Sequence, residues 1–340
     1  MALKTYGIDF GTSTIKISRK GQGIVLDERN MIAIADRKTI IATGNEAYDI
    51  YEKAPANIMV THPVRSGVIA DVANMTALLV HFIKKLGGSK RTGLADYIVA
   101  TPSDITEVER RSFYELISRS SLKVGHIKIV DKPVADALGA GLEIMTARGV
   151  MIVDIGADTT EVSILSLGGI VLSKLIPIGG NKLDESIKGM VKKRHNLYIG
   201  DKTAENIKKK LASALPTVEA TVKVYGRDVV TGLPILMEIN SKTVYEAIAE
   251  HLYSIIDAIR IILERTPPEI SSDIIESGIY VTGGSANIFE LKGLISKETG
   301  LKVNICEDPA NTVVKGLGRI MDEGQLSSLA DSLRPKNLVD

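Results

Sequence analysis

The sequence predicts an α/β protein with two domains that are interleaved along the chain. Strand and helix patterns alternate almost throughout the 340 residues, without a long linker or a low-complexity segment. A chain of this length can bury two separate cores. In addition, one strand–turn–strand motif occurs twice, once in each half of the chain. Together these observations favour two related α/β halves.

The composition excludes several classes of protein. The chain has 42 Lys and Arg against 41 Asp and Glu, a formal net charge of +1, which argues against a dedicated nucleic-acid-binding protein. Cys306 is the single cysteine, so an internal disulfide framework is excluded and a reducing cytosol fits. The N-terminus "MALKTYGIDFG" lacks the apolar segment of a signal peptide, and no apolar run reaches about 18 residues. The sequence predicts a cytoplasmic protein with no nucleic-acid partner.

The segments outside the repeat follow ordinary helix and strand signals. "ITEVERRSFYELISRSS" (105–121) predicts a helix with Asp104 as its N-cap. Residues 244–265 have apolar residues at helical spacing and predict a long amphipathic helix. Residues 217–243 predict a small β-rich insertion with turns at "YGRD" and "TGLP".

The repeated motif indicates phosphate binding. "YGIDFGTSTIKIS" (6–18) and "VMIVDIGADTTEVSI" (150–164) each read as a strand ending in Asp, a polar turn with Gly and Thr, and a second strand. A P-loop is excluded because its glycine-rich turn must open a helix. A tight turn of small residues presents backbone N–H groups to an anion. Asp9 and Asp154 occupy matching places and suit a hydrated Mg²⁺, which is held through few carboxylates and nucleotide phosphates.

Two further segments carry weaker signals. "IYVTGGSANIFELKGL" (279–294) predicts a strand, Gly283 and Gly284, and then a helix whose N-terminus admits a base or a ribose phosphate. The alternative is an ordinary tight turn between strand and helix. "GDKTAENIKKKLASA" (200–214) places Glu205 and Lys208 one turn apart on a helix, which alone indicates no more than a solvated ion pair.

Taken together, these segments resemble the MreB family of bacterial actins, within the actin-like ATPase superfamily. The resemblance runs from about residue 6 to residue 322. The segments that carry it are "GNEAYDIYEKAPANIMVTHPVRSGVIAD", "PSDITEVERR", "TTEVSILSLGGIV", "RHNLYIGDKTAENIK", "YGRDVVTGLP" and "EDPANTVVKGLGR".

The resemblance implies the actin-like ATPase fold, an α/β architecture of two ribonuclease-H-like domains around a nucleotide cleft, each with a small subdomain. The implied divisions are 1–32 with 71–145 and 309–330 for the first domain, 33–70 for its small subdomain, 146–180 with 244–308 for the second domain, 181–243 for its small subdomain, and 331–340 for a C-terminal tail.

The same resemblance implies an ATP or ADP site with Mg²⁺, the phosphates lying between the two hairpins. The implied phosphate-binding residues are Gly11, Thr12, Ser13, Thr14, Gly156, Ala157, Asp158, Thr159 and Thr160. The implied ribose and base contacts are Glu205, Lys208, Gly283, Gly284, Ser285, Ala286 and Asn287, and Asp9 and Asp154 match acids that face the metal through water.

Three departures from the family pattern bear on the chemistry. Lys16 stands where family members usually carry an apolar residue and eukaryotic actins carry lysine, so it is expected either to reach a phosphate or to face solvent. Ala157 and Asp158 replace two glycines of the second turn, and a carboxylate near a γ-phosphate is unfavourable without a neutralising cation.

The third departure is Lys132, immediately before Pro133, where the family has the glutamate that helps deprotonate the attacking water. A lysine with an ordinary pKa of about 10.4 stays protonated and cannot act as a general base. Lys132 and Asp158 are expected to form a compensating pair, the alternative being that both point away. Thr159 and Asp131 remain candidate water ligands, and slow hydrolysis is therefore expected rather than none.

The resemblance implies a nucleotide-dependent cytoskeletal filament of monomers stacked head to tail. Family filaments pair antiparallel through the helix that begins here at "ITEVERR", so Val108 and Arg111 are candidate lateral contacts. The alternative for Val108 is a core position. A small-molecule kinase or phosphotransferase on the same fold is the alternative function, although no unassigned catalytic acid supports it.

Membrane contact is expected to be weak. Family members bind membranes through an N-terminal amphipathic helix or a bulky apolar pair in a loop. The corresponding loop here, "GGSKRTGLADY" (87–97), offers Leu94 beside Lys90 and Arg91. This composition predicts electrostatic, salt-sensitive contact at the inner face of the membrane.

Overall fold

The computed structural model describes residues 3–36, 38–87, 93–217 and 219–331. The chain forms two compact units. The first unit comprises Met1–Ala147, Leu165–Val171 and Asn311–Asp340, and the second comprises Arg148–Ile164 and Leu172–Ala310. The finer division into four subdomains stays a prediction.

The first 147 residues contain ten strands and four helices among those described. The strands are β1 (Lys4–Phe10), β2 (Thr14–Arg19), β3 (Gly23–Arg29), β4 (Ile32–Ala35), β5 (Thr39–Thr43), β6 (Ile58–Thr61), β7 (Val64–Arg65), β8 (Val68–Ile69), β9 (Ala95–Thr101) and β10 (Val124–Asp131). The helices are α1 (Gly44–Ile50), α2 (Val72–Gly87), α3 (Glu107–Ser118) and α4 (Lys132–Gly139).

The rest of the described chain continues the alternation. Its strands are β11 (Val150–Ile155), β12 (Thr160–Ser166), β13 (Gly169–Ile176), β14 (Leu197–Tyr198), β15 (Thr221–Asp228), β16 (Pro234–Asn240), β17 (Ile279–Thr282) and β18 (Val303–Ile305). Its helices are α5 (Gly180–His195), α6 (Asp201–Leu211), α7 (Ser241–Arg265), α8 (Pro268–Ser277), α9 (Leu291–Thr299) and α10 (Thr312–Asp322), with 3₁₀ turns at Gly284–Asn287 and Gly324–Leu329.

Each unit is built on a five-stranded sheet, and the two sheets have the same strand order. The first is β10-β9-β1-β2-β3 and the second, read from its other edge, is β18-β17-β11-β12-β13. In the first sheet β1, β9 and β10 are parallel and the β1–β2–β3 meander is antiparallel. In the second, β11, β17 and β18 are parallel. The repeat visible in the sequence therefore extends to the topology of both sheets.

Apolar residues at strand and helix spacing build the two cores. In the first unit, alternate residues of β1 (Tyr6, Ile8 and Phe10) are buried with Leu79 and Phe82 of α2. In the second unit, α7 buries a stripe three or four residues apart, as an amphipathic helix does. The stripe consists of Ile248, Leu252, Ile255, Ile259 and Ile262.

Helices α4 and α10 of the first unit pack in close backbone contact. A side-chain carbon on Gly139 would overlap the carbonyl oxygen of Thr312, and one on Gly316 would overlap that of Ala135. Glycine at both positions lets the helices approach this closely. This packing fixes α4, the helix that begins at Lys132.

Two local expectations are wrong. Helix α3 is capped by Thr106 and not by Asp104, because Thr106 and Glu109 satisfy each other's backbone N–H groups in a capping box. "YGRD" does not form a turn but is the end of β15 (Thr221–Asp228), whose backbone pairs with β16. Within the described residues, no helix is long and apolar enough to cross a membrane.

Candidate functional site

The first turn lies between β1 and β2, where the antiparallel register ends at Phe10 opposite Ile15. A side-chain carbon on Gly11 would lie 2.7 Å from the carbonyl oxygen of Thr14, so the turn can close this tightly only with glycine. Of the predicted residues, Gly11 to Ser13 form the short connection between two strands that the phosphate-loop prediction requires, and Thr14 is the first residue of β2.

Two residues at the end of β3 hold this turn in shape. The backbone N–H of Asn30 donates to Ser13 O (2.9 Å), and its side-chain Nδ2 donates to Gly11 O (2.7 Å). Arg29 Nη1 donates to Ser13 Oγ (2.8 Å), and its guanidinium lies 4.2 Å from the ring centroid of Tyr48. Neither residue is predicted from the sequence, since nothing in the local sequence pairs them with residues 11–13.

Lys16 is buried, with 5 % of its surface exposed, which rules out the alternative of a solvent-facing lysine. In the antiparallel register it lies directly opposite Asp9 on one side and Asp27 on the other. Directly opposed residues of antiparallel strands project from the same face of the sheet. The structure therefore places a positive charge beside the predicted metal-facing acid of the first unit.

The second turn is held by the start of helix α5. The turn closes on itself through Gly156 N–H, which donates to Thr159 O (2.9 Å). Two N–H groups of the first turn of α5 then donate back to it, Gly180 N to Gly156 O (3.0 Å) and Asn181 N to Ala157 O (2.7 Å). These N–H groups have no partner inside their own helix, so the turn serves as its cap.

Gly179 makes this arrangement sterically feasible. A side-chain carbon there would lie 2.6 Å from the carbonyl carbon and oxygen of Ala157 and 2.8 Å from the carbonyl carbon of Asp158. Thr160 Oγ1 donates to Ile178 O (2.7 Å), which ties the far end of the turn to the same segment. The sequence analysis missed this role of Gly179.

Asp158 has a partner within its own unit. Asn181 Nδ2 donates to Asp158 Oδ1 (2.7 Å). An amide stabilises a carboxylate by hydrogen bonding without neutralising its charge. The pairing of Asp158 with Lys132 stays a prediction.

The segment after β17 packs against Asp154. Asp154 is opposite Thr282 in the parallel register, and a side-chain carbon on Gly283 would overlap the Asp154 carboxylate. Gly283 has φ of 81°, a conformation that favours glycine. Residues Gly284–Asn287 form one 3₁₀ turn, and helix α9 begins only at Leu291, so the predicted helix N-terminus at this position is wrong.

Lys208 does not form the exposed ion pair with Glu205 that is the simplest interpretation of their spacing. Its Nζ donates to Asp184 Oδ2 (2.6 Å) and Gly180 O (2.8 Å), and its side chain is largely buried. Glu205 is paired instead with Lys209 (2.7 Å). Burial raises the pKa of Asp184 to about 6, and this outweighs the opposing attraction of Lys208.

The Lys132 junction forms as predicted, at the boundary between β10 and α4 with Pro133 in the first turn of the helix. Arg110 of α3 forms an ion pair with Asp131, the last residue of β10. Asp131 was a candidate water ligand, and its carboxylate is held by this guanidinium. Arg110 is not predicted from the sequence, because it lies 21 residues before Asp131.

The chemistry of the donors fits a weakly ligated Mg²⁺ better than a dedicated metal centre. Among the residues that the structure describes, no group of three or more His, Cys, Asp or Glu side chains could hold a metal ion. Asp9 and Asp154 instead stand near the ends of the first strand of each sheet. Mg²⁺ is commonly held by one or two carboxylates together with water and nucleotide phosphates.

Comparisons of the sequence with known families give one family over nearly the whole chain. A family profile described as MreB/Mbl protein matches residues 3–328. The cell shape-determining protein Mbl of Bacillus subtilis (strain 168) is 38% identical over 325 residues, which cover 95% of this chain and 97% of Mbl. The cell shape-determining protein MreB of Escherichia coli (strain K12) is 39% identical over 322 residues, 93% of this chain and 92% of MreB.

Comparison with solved structures identifies the fold. A crystal structure of MreB5 of Spiroplasma citri bound to ADP has a TM-score of 0.89 at 32% identity and covers 96% of this chain and 98% of MreB5. MreB5 is also solved bound to AMPPNP, at 31% identity. The MamK double helical filament, at 20% identity and a TM-score of 0.78, supports the fold alone. The actin-like ATPase fold predicted from the sequence is confirmed.

Proposed function

Because the chain belongs to the MreB/Mbl family of cell shape-determining, actin-like proteins, we propose that it is an ATP-binding actin that polymerises into cytoskeletal filaments. The observation that carries the proposal is the repeated turn after the first strand of both sheets, braced in each unit by neighbouring residues of that unit. Its filaments would serve cell shape, morphogenesis or motility in the cytoplasm.

We propose that the two turns serve the phosphates of ATP or ADP and that Asp9 and Asp154 hold Mg²⁺ through water. Both turns keep their shape through contacts within their own unit, so their backbone N–H groups are organised before any ligand binds. Bound Mg²⁺ would neutralise phosphate charge. Lys16, buried beside Asp9, adds a positive charge on the same face.

Hydrolysis is proposed to be slow. Lys132 occupies the start of α4, where a general base would have to accept a proton from water. An ammonium group has three donors and no acceptor, so it cannot take that proton. The nearest carboxylate in sequence, Asp131, is engaged by Arg110. Nucleotide binding survives under this proposal, because the hydrogen bonds from Asn30 and from the start of α5 that hold the two turns do not involve Lys132.

Phosphate release measured for Lys132→Glu, alone and with Asp158→Gly, tests this proposal. We expect the single variant to release phosphate at least about tenfold faster than the wild type, because a general base contributes about 10²–10⁴-fold. Lys123→Glu makes the same charge change just before β10, at an exposed residue, and is expected to leave the rate unchanged. A wild-type rate equal to or above both variants contradicts slow hydrolysis through Lys132.

We propose that filaments pair through α3, because Val108 of this helix is exposed. Its side chain is 80% exposed, which rules out the core position considered above. An exposed apolar residue on a helix otherwise lined with charges gains free energy when a partner covers it. Arg111 is held by Glu115 one turn later (3.0 Å), so it presents an ion pair to a partner and not an isolated cation.

Electron microscopy and pelleting with Mg·ATP test polymerisation and pairing together. The wild type is expected to pellet and to form paired filaments only with nucleotide. Val108→Glu is expected to leave single protofilaments, because burying a charge opposite another copy is costly. Ile275→Glu, at an exposed apolar position of α8, is the matched control. Paired filaments of Val108→Glu contradict the role of α3, and a wild type that never pellets contradicts the filament itself.

Membrane contact is proposed to be weak and electrostatic. Leu94 is exposed, as expected, whereas Lys90 and Arg91 lie outside the described residues. A single leucine inserts too little apolar surface to anchor a protein. Binding to anionic liposomes that disappears with added salt is expected, and salt-insensitive binding to neutral liposomes is the contradictory result.

A further inference from the structure

Several parts of the second unit meet around Gly180, the first residue of α5. Gly180 N–H donates to Gly156 O of the second turn (3.0 Å), and Ser285 Oγ donates to the same oxygen (3.1 Å). The carbonyl oxygen of Gly180 accepts from Lys208 Nζ of α6 (2.8 Å). Gly180 therefore joins the second turn to Lys208, and Ser285 bonds to the same carbonyl oxygen of the turn.

The lack of a side chain at Gly180 leaves room for this meeting. A side-chain carbon would lie 3.0 Å from Lys208 Nζ and 3.0 Å from Ser285 Oγ. Both side-chain atoms would have to shift slightly to accommodate it. Lys208 therefore approaches Gly180 about as closely as a glycine allows.

Lys208 has one hydrogen-bond donor left for a ligand. An ammonium group carries three donors. Within the part of the chain that the structure describes, two of them are used, by Gly180 O and by Asp184 Oδ2 (2.6 Å). A lysine side chain is long and flexible, so one hydrogen bond to a ligand contributes little binding free energy unless other groups hold the ammonium group in place. The bonds to Gly180 and Asp184 hold it in place.

Asp184, the other partner of Lys208, is an unusual residue because its carboxylate is buried and only partly hydrogen-bonded. It is 8% exposed, and its Oδ1 has no hydrogen-bond partner among the described residues. A buried carboxylate with an unsatisfied oxygen destabilises a fold, so it calls for an explanation other than packing. Ionic contact with Lys208 accounts for one oxygen only.

We propose that Asp184 is a positioning residue for nucleotide binding, which holds Lys208 Nζ against the Gly180 carbonyl so that the remaining N–H of Lys208 is aimed at the nucleotide. This rests on the proposed ATP binding and adds a residue that no family motif quoted above contains. Asp184 acts through Lys208, whose other hydrogen bond is to Gly180, the residue of α5 that also holds the second turn.

Calorimetric binding of Mg·ADP to the whole chain tests the proposal. Asp184→Asn is expected to weaken binding about tenfold, within the range of coupling between residues in one network. Asp184→Glu, which keeps the charge, is expected to recover part of the loss. Glu185→Gln removes the neighbouring exposed acid of α5 and is expected to bind within twofold of the wild type. Asp184→Asn binding as tightly as Glu185→Gln overturns the proposal.

A double-variant cycle separates positioning from general damage. If Asp184 acts through Lys208, Asp184→Asn combined with Lys208→Met binds Mg·ADP no more weakly than Lys208→Met alone. If the losses of binding free energy in the two single variants add up in the double variant, the proposal is overturned. The same cycle, measured by thermal unfolding without nucleotide, is expected to be non-additive too, because the two side chains are in contact.

The unfolding cycle also keeps the two proposals distinguishable. A wild type that binds no Mg·ADP contradicts both the proposed ATP binding and the role of Asp184 toward it, whereas non-additive unfolding then still identifies the Asp184–Lys208 contact as real. Additive unfolding with intact nucleotide binding overturns the positioning role alone.

The pH dependence of binding is a further readout that a purely structural role would not change. Asp184 faces Lys208, Lys209 and Glu205, all on α6. Its protonation near pH 6 removes the charge that holds Lys208, so affinity is expected to fall below about pH 6 in the wild type more than in Asp184→Asn. Comparing the two proteins with the same nucleotide cancels the titration of the phosphates. Parallel pH profiles overturn the proposal.

Discussion

The two turns occupy the same place in two sheets of the same strand order, yet different interactions hold them. The turn at Gly11–Ser13 is held mainly by the side chains of Arg29 and Asn30, which reach it from the end of β3. The turn at 156–160 is held by backbone N–H groups of α5, which can approach it because residue 179 is glycine. The neighbours that hold the first turn reach it mainly through side chains, whereas α5 holds the second turn mainly through backbone contact.

This difference predicts different responses to substitution. Losing a bonding side chain costs one or two hydrogen bonds, and the remaining contacts persist. Adding atoms where two backbones touch forces the backbones themselves apart. The second turn is therefore expected to tolerate less change than the first, although both serve the same proposed ligand.

Gly179→Ala is the largest expected effect. The added carbon would lie 2.6 Å from backbone atoms of Ala157, so α5 and the turn must separate. We expect a loss of at least about 3 kcal/mol in the free energy of unfolding, measured by chemical denaturation. Gly189→Ala, in the same helix at a position with open space around it, is expected to stabilise by about 0.5–1 kcal/mol instead. Equal effects of the two variants contradict the packing argument.

The sequence predicted the outline of both turns but not the contacts that hold them. Asp9 and Asp154 could be matched because each follows a strand and precedes a Gly-Thr turn, a purely local pattern. Asn30 and Asp184 could not, since their partners Gly11 and Lys208 are 19 and 24 residues away and the fold alone joins them. The wrong cap of α3 has a different cause, because Asp104 and Thr106 both fit the local signal and the capping box with Glu109 selects Thr106.

Titration of Asp184 tests the second turn alone, because Asp184 lies in α5, the helix that holds this turn. Its folded-state pKa of about 6 lies above the ordinary value of 3.8, so between about pH 4 and pH 6 the folded protein binds more protons than the unfolded one. Stability contributed by this group is therefore lost as the pH rises through that window. We expect Asp184→Asn to remove about 1–3 kcal/mol of this pH dependence, measured as unfolding midpoints against Glu185→Gln. Superimposable stability–pH profiles of the wild type and Asp184→Asn contradict this prediction.

Asn30→Ala tests the first turn. The residue is fully buried, and the substitution removes the amide that donates to Gly11 O while keeping the backbone bond to Ser13. We expect a loss of about 1–2 kcal/mol in the free energy of unfolding, since a partly buried carbonyl oxygen loses its donor. Asn206→Ala, at an exposed position of α6, is the control and is expected to change stability by less than about 0.5 kcal/mol. A loss above that of Gly179→Ala would reverse the ranking of the two turns.

Arg29→Lys is the smallest expected effect and the most direct test of how side chains hold the first turn. Lysine keeps the charge but loses the planar guanidinium that stacks on Tyr48 and reaches Ser13 Oγ. We expect a loss of about 0.5–1 kcal/mol in the free energy of unfolding and a measurable weakening of Mg·ADP binding. The second unit supplies a matched control, because Arg227 stacks on Tyr198 in the same way at an exposed site. Arg227→Lys should cost no more stability and leave Mg·ADP affinity unchanged. Equal weakening of binding by both variants would contradict the specific role of Arg29 in holding the first turn.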